Sequence, residues 1–265
     1  MEMQIAADNL TITRKEVAAA LERMEAGPII ELVRRMEKAG ADLIDINSGP
    51  LLREPETRMR FLVETVQSAT RLPLLLDTSN PKAIGAGLAV AGRKAVINGF
   101  SLEPEKLERI LPLAREYEAD IIGYLLLPNG HVPLDEADMM DIALALHAEI
   151  KKAGIDENRL IIDPVVAPAI WENGMHHNRQ ILSLIRHLPD LLGYPVRTIA
   201  GLSNLTAGPG PGDQKRILER VFLPMLAHAG LSIVLLNMFS PEIRGIAKAC
   251  NALTDSRPFT WAGLS

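Results

Sequence analysis

Short apolar runs in this 265-residue chain end repeatedly on aspartate or asparagine. In chain order these residues are Asp8 and Asn9, Asp45 and Asn47, Asp77 and Asn80, Asn98, Asn129, Asp163, Ser203 with Asn204, and Asn237. No lysine or histidine ends such a run. That argues against the desolvated lysine of a Schiff-base aldolase and against the histidine cluster of a metal-dependent hydrolase, and no intrinsic metal is expected. Carboxylates accept from paired N–H groups, and amides complement both donors and acceptors. A convergent set of the two suits a flat, neutral heterocycle with many N–H and C=O groups, and the aminopyrimidinone edge of a pterin fits. Asp and Asn also cap helices and shape turns, and that is the expectation for Asp8, Asn80 and Asn129. Asp77 and Asp163 each end a wholly apolar run, where a charge must find partners.

The elements that must hold these residues can be read from the alternation of runs. "MQIAA" (3–7), "DLIDI" (42–46), "PLLLD" (73–77), "KAVIN" (94–98), "DIIGYLL" (120–126), "RLIID" (159–163), "RTIAGLS" (197–203) and "SIVLLN" (232–237) are each too short for a helix. They are β-branched or leucine-rich, as strands buried on both faces are. Between them lie helix patterns. "PIIELVRRMEKAG" (28–40) shows an apolar face at Ile29, Ile30, Val33 and Met36, and "QKRILERVFLPMLAHAG" (214–230) follows Asp213, a candidate N-cap. Eight such alternations fit an α/β fold of the (β/α)8 TIM-barrel type, as one domain over residues 1–265. A helical piece near 12–25 is expected between the first strand and its main helix. In a barrel of this kind the site is built at the C-terminal ends of the strands, where the Asp and Asn residues fall.

Composition excludes several classes. The net charge of −5 leaves no electrostatic footprint for nucleic acid. The single cysteine, Cys250, rules out an intrachain disulfide, a cysteine zinc site and an intrachain iron–sulfur cluster. No apolar run approaches the roughly 18 residues of a membrane span, and the N-terminus lacks a basic-then-apolar leader. A cytoplasmic protein with no membrane partner is the expectation. Aromatics make up 4% of the chain, so the core must be aliphatic.

"ADLIDINSG", "PLLLDTSNPKAI", "VING", "LIIDP" and "GLSN" occur in the order and spacing of the pterin-binding methyltransferases. Between about residues 40 and 240 the chain resembles the methyltetrahydrofolate:corrinoid-protein methyltransferases, relatives of dihydropteroate synthase and of the folate module of cobalamin-dependent methionine synthase. The resemblance implies that Asp77, Asn98 and Asp163 hold the pterin ring. It implies that Gly201 and Ser203 line the pocket, that Asp45 and Asn47 support its floor, and that Asn204 sits near N5, which carries the methyl group. A basic side chain after "GLSN" contacts the pterin in related proteins, and Lys215 or Arg216 is the nearest candidate. The implied substrate is tetrahydrofolate or methyltetrahydrofolate, and a homodimer is implied as well.

Methyl transfer from N5 to cobalt(I) expels a poor amine leaving group, so a donor at N5 must strengthen its bond in the transition state. Asn204 is the expected donor, with Asp45, Asp77 or Asp163 tuning a water network behind it. The D-x-H-x-x-G spacing of a corrinoid-binding module is absent, so the corrinoid (cobalamin) is expected on a separate protein docked over the barrel mouth. The stretch "APAIWENGMHHNRQ" (167–180) is expected to form part of that surface, with His176 and His177 in an exposed loop. Three alternatives are a tetrahydromethanopterin-dependent methyltransferase subunit, a dihydropteroate synthase and a non-catalytic pterin-binding subunit. The synthase would need basic residues near "GLSNL" and "LLNMF", where the sequence has none. "GLSNLTAGPGPGD" (201–213) is no phosphate cradle, because it lacks G-x-G-x-x-G and its prolines lack N–H groups. "TAGPGPG" reads instead as a semi-rigid lip.

Overall fold

A computed structural model describes residues 2–92, 94–254 and 259–261. Eight parallel strands close into a barrel in sequence order. They are β1 (Gln4–Thr11), β2 (Leu43–Asn47), β3 (Leu74–Asp77), β4 (Ala95–Phe100), β5 (Asp120–Tyr124), β6 (Leu160–Asp163), β7 (Arg197–Gly201) and β8 (Ile233–Leu236). The helices are α1 (Lys15–Glu22), α2 (Ala26–Lys38), α3 (Pro55–Ala69), α4 (Pro81–Val90), α5 (Pro104–Glu116), α6 (Glu136–Lys152), α7 (Gly174–Leu192), α8 (Gly212–Ala229) and α9 (Pro241–Thr254). The extra helical piece after the first strand is α1. Among the described residues no helix is long and apolar enough to cross a membrane.

Each strand splits its residues between two apolar layers, because successive side chains point to opposite faces. Ala7, Ile44, Leu76, Ile97, Ile121, Ile162, Ala200 and Val234 face outward and join the core beneath the helices. Ala6, Leu43, Leu75, Val96, Ile122, Ile161, Ile199 and Ile233, one from each strand, form a separate cluster that fills the barrel interior. Helices cover the outer layer through helically spaced residues; α2, for example, buries Ile29, Leu32, Val33 and Met36. At the N-terminal end of the barrel the buried Asp120 pairs with Lys94 at 2.7 Å and with Arg197 at 2.8 Å.

Two irregularities aim residues at the C-terminal mouth. Between β1 and β2 the register jumps from Ala7↔Ile44 to Leu10↔Ile46, so Asp8 and Asn9 together face Asp45. Between β4 and β5 it jumps at Asn98/Phe100, leaving Gly99 as the extra residue. A Cβ at Gly99 would lie 2.5 Å from the carbonyl oxygen of Ile122, so only glycine fits there.

Several expected caps are placed differently. Asn80 does cap α4, accepting from the Lys82 N–H at 3.1 Å. Asn129 shapes a turn by accepting from the His131 N–H. Asp8 is no cap: it lies within β1, because the bulge carries the strand past the end of its apolar run. Asp213 is also no N-cap. The helix begins one residue earlier, and the Asp213 carboxylate pairs along it with Arg216. The stretch 167–180 is only partly loop, since α7 starts at Gly174; His176 is exposed, but His177 is fully buried.

Candidate active site

Two residues beyond the interior plug, each strand presents its next inward position to the barrel mouth. Those positions are Asp8, Asp45, Asp77, Asn98, Tyr124, Asp163, Gly201 and Leu235, and all eight line one cavity of about 360 Å³. Asn47, Thr11, Thr13, Val165, Ser203 and Asn204 complete its wall. A larger surface groove of about 690 Å³ runs along α5 and α6. It lies on the outer wall, away from the converging polar groups, so the mouth cavity is the candidate site.

The polar groups of the cavity are fixed by one another. Asn47 donates its amide to Asp77 Oδ2 at 2.6 Å across the β2–β3 register pair. The Tyr124 hydroxyl donates to Asn98 Oδ1 at 2.7 Å, which turns the amide N–H groups of Asn98 toward other acceptors. Asp163 Oδ1 accepts from the Val165 N–H at 2.7 Å. Asp45 is 3% exposed and its Oδ1 has no hydrogen-bond partner. Asn204, on a short 3-10 turn at Leu202–Thr206, makes no side-chain hydrogen bond among the described residues. Its amide rests on Gly201, where a Cβ would come within 3.1 Å of Asn204 Nδ2.

Four carboxyls in so small a space resist ionisation. Burial, reinforced by Asp77 and opposed by the Val165 N–H, raises Asp163 to about 7. Burial raises Asp77 to about 6. Asp8 is also raised to about 6 by burial and by the charge of Glu219, against the pull of its own backbone N–H and of Arg14. Asp45 is pushed well up by burial and then by Asp77 and Asp8. The Tyr124 phenol is likewise held in its neutral, donating form by burial and the neighbouring carboxylates. The cavity thus stores protons near neutral pH.

Of the residues singled out in the sequence, Asp45, Asn47, Asp77, Asn98, Asp163, Gly201, Ser203 and Asn204 meet in this cavity. Lys215 does not line it. On α8, it donates to the Gly208 carbonyl and ties down the 207–211 lip. Asn9 and Asn237 bond to each other at 2.7 Å and latch β1 to β8. Tyr124, Thr11, Thr13 and Val165 are lining residues that the run ends do not reveal; Asp8, a run-end residue expected to be a cap, lines the cavity instead. No Lys or Arg stands among the lining residues; Arg14, at the rim over the Phe239 ring, is a cation whose charge reaches Asp8. Among the described residues no group of three or more His, Cys, Asp or Glu side chains is arranged to hold a metal ion.

Residues 12–237 match the family model described as pterin binding enzyme. The chain belongs to this family. It is 22% identical over 241 residues to the methylcorrinoid:tetrahydrofolate methyltransferase of Eubacterium limosum, covering 89% of this chain and 86% of that protein. It is 25% identical over 238 residues to the methionine synthase of Mycobacterium tuberculosis, covering 82% of this chain but only 19% of the synthase. Among solved structures, dihydropteroate synthase from Xanthomonas albilineans, in complex with 7,8-dihydropteroate, superposes with a TM-score of 0.70 at 22% identity, over 97% of this chain and 95% of that one. The last likeness establishes the barrel fold.

Proposed function

We propose that this pterin-binding barrel moves a methyl group between N5 of tetrahydrofolate and the cobalt of a corrinoid carried on a partner protein. The observation that carries the reading is the cavity wall. Asp45, Asp77, Asn98 and Asp163 converge on it, the amide of Asn204 is unbonded at its edge, and no cation lines it. Such a wall suits an uncharged pterin and offers nothing to the pyrophosphate of a dihydropterin pyrophosphate. The relative from Eubacterium limosum, aligned over most of both chains, supports the same choice.

In this reading Asp77 and Asp163 accept from the N–H groups of the pterin. Asn98, its oxygen held by Tyr124, donates to a ring acceptor. Asp45 and Asn47 sit beneath, with Asn47 orienting Asp77. In the demethylating direction the N5–CH3 bond breaks, cobalt(I) supplies the electron pair of the new Co–C bond, and a proton goes to N5; the reverse direction returns it. Asn204 stabilises the departing amine by hydrogen bonding, and carboxyls that titrate near 6 to 7 supply the proton through water. The partner must approach from the mouth, where Leu52, Ile170, Trp171 and Met175 are exposed.

Mixing the protein with methyltetrahydrofolate and cobalt(I) cobalamin, and following methylcobalamin in the visible spectrum, tests the reaction. Asn204→Ala is expected to slow transfer by roughly 10- to 100-fold while leaving tetrahydrofolate affinity within a few-fold. A normal rate in that variant would remove Asn204 from the mechanism. Formation of dihydropteroate from a dihydropterin pyrophosphate, with no methyl transfer, would sink the reading as a whole.

A further inference from the structure

His177 is fully buried in the first turn of α7, and both of its ring nitrogens meet carbonyl oxygens. Nδ1 lies 2.6 Å from the oxygen of Pro133, in the β5–α6 loop, and Nε2 lies 2.9 Å from the oxygen of Val165, in the β6–α7 loop. A neutral imidazole has one N–H and one lone pair, and a lone pair cannot bond a carbonyl oxygen. In the tautomer with its proton on Nε2 the ring donates to the Val165 carbonyl, and Nδ1 packs against the Pro133 carbonyl. The neighbouring Asn178, also fully buried, grips the same loop at Ala167, accepting from its N–H at 2.9 Å and donating to its carbonyl at 2.8 Å.

Val165, which His177 holds by its carbonyl, lies between the histidine and the cavity. Its φ is +60°, a left-handed conformation that β-branched residues avoid, so outside contacts must keep it there. That conformation directs the Val165 N–H onto Asp163 Oδ1 at 2.7 Å. We propose that His177 is a positioning residue for Asp163: a buried ring, wedged between two loops, whose Nε2–H holds the Val165 carbonyl and so keeps the Val165 N–H on the carboxylate facing the substrate. The proposal rests on the reading that this cavity takes a pterin.

The clamp has a consequence that mere packing lacks. The Val165 N–H lowers the pKa of Asp163 against burial and against Asp77. Releasing it must move the titration of Asp163 upward. The ionisable groups facing Asp163 are Asp77 on β3 and the Tyr124 phenol on β5, with Asp45 and Asp8 further round the ring. On the far side of the clamp, Asp135 stands 3.7 Å from the exposed His176.

Nitrogen-15 NMR of the histidine rings in the wild-type protein should show the His177 Nε2 protonated and its N–H slow to exchange. An Nε2 without a proton overturns the clamp, whatever the cavity binds. Calorimetry with tetrahydrofolate across pH then compares the wild type with His177→Phe, which keeps the ring volume without donors, and with Asn178→Ala, which loosens the same loop elsewhere. In His177→Phe the pH midpoint of binding should rise by roughly one unit, the worth of one lost hydrogen bond to a charged group. Asn178→Ala should leave the midpoint in place. An unmoved midpoint in His177→Phe, or an equal shift in both variants, refutes the proposal. If His177→Phe does not fold, His177→Gln makes the same comparison with a smaller upward shift expected, and an unmoved midpoint again refutes it. Failure of the wild type to bind tetrahydrofolate would sink the pterin reading, and the ring spectrum would still decide the clamp.

Discussion

Replacing Asp163 with asparagine separates the cost of this carboxylate from its use. Burial raises its pKa from 3.8 to about 7, so the folded chain binds the proton more tightly than the unfolded chain does. The gap is roughly three pH units, each worth about 1.4 kcal/mol. The contribution to stability is therefore full below about pH 4, falls as pH rises, and is gone above about pH 7, for a total of about 4 kcal/mol at most. Asparagine keeps an oxygen for the Val165 N–H and has no proton to lose. Urea unfolding of the ligand-free wild type and of Asp163→Asn, from about pH 4 to about pH 8, reads the difference directly. The variant should match the wild type at the acid end and exceed it by up to about 4 kcal/mol at the alkaline end, while binding tetrahydrofolate far more weakly. Asp8 and Asp77 titrate in both proteins, so only the difference between the two curves carries the result. Parallel curves across the whole range would show that this carboxylate bears no burial cost, and the reasoning would fail.

Gly201→Ala would bring a methyl group within 3.1 Å of Asn204 Nδ2 and push that amide aside; methyl transfer measured by stopped flow should fall by about tenfold or more, with tetrahydrofolate affinity nearly kept. Tyr124→Phe removes the hydroxyl that fixes Asn98, so tetrahydrofolate binding by calorimetry should weaken by roughly five- to tenfold with little change in melting temperature.

The barrel is legible in the sequence because a strand buried on both faces reads as an unbroken apolar run, and eight such runs alternate with helix patterns. Asp77, Asn98 and Asp163 are legible for the same reason: each stands two residues beyond an apolar residue that plugs the interior, Leu75, Val96 or Ile161. Asp8 also follows an apolar run, but it reads as a cap, because the bulge that carries the strand on to Thr11 is an event of pairing between strands. Tyr124 sits inside a run whose apparent end lies beyond it. The alternation Ile122, Gly123, Tyr124 was the available signal, together with the rarity of aromatics in this chain. His177 lies in a polar, loop-like stretch, yet its spacing to Ile181, Leu184, Ile185 and Leu188 follows one buried helix face. Lys215 was reachable only through a resemblance, and its ammonium goes instead to the Gly208 carbonyl of the "TAGPGPG" lip.

The floor of the cavity has a further effect. Beneath the acidic ring lie eight apolar side chains, and beneath those Asp120 with Lys94 and Arg197, so among the described residues the cavity opens at the top. A macromolecule seated across that doorway would turn the well into a sealed vessel with a fixed stock of hydrogen ions. Any proton consumed during a turnover would then have been loaded before closure. The reaction would register the acidity of the medium at the moment of docking, and would be indifferent to it until the doorway reopened.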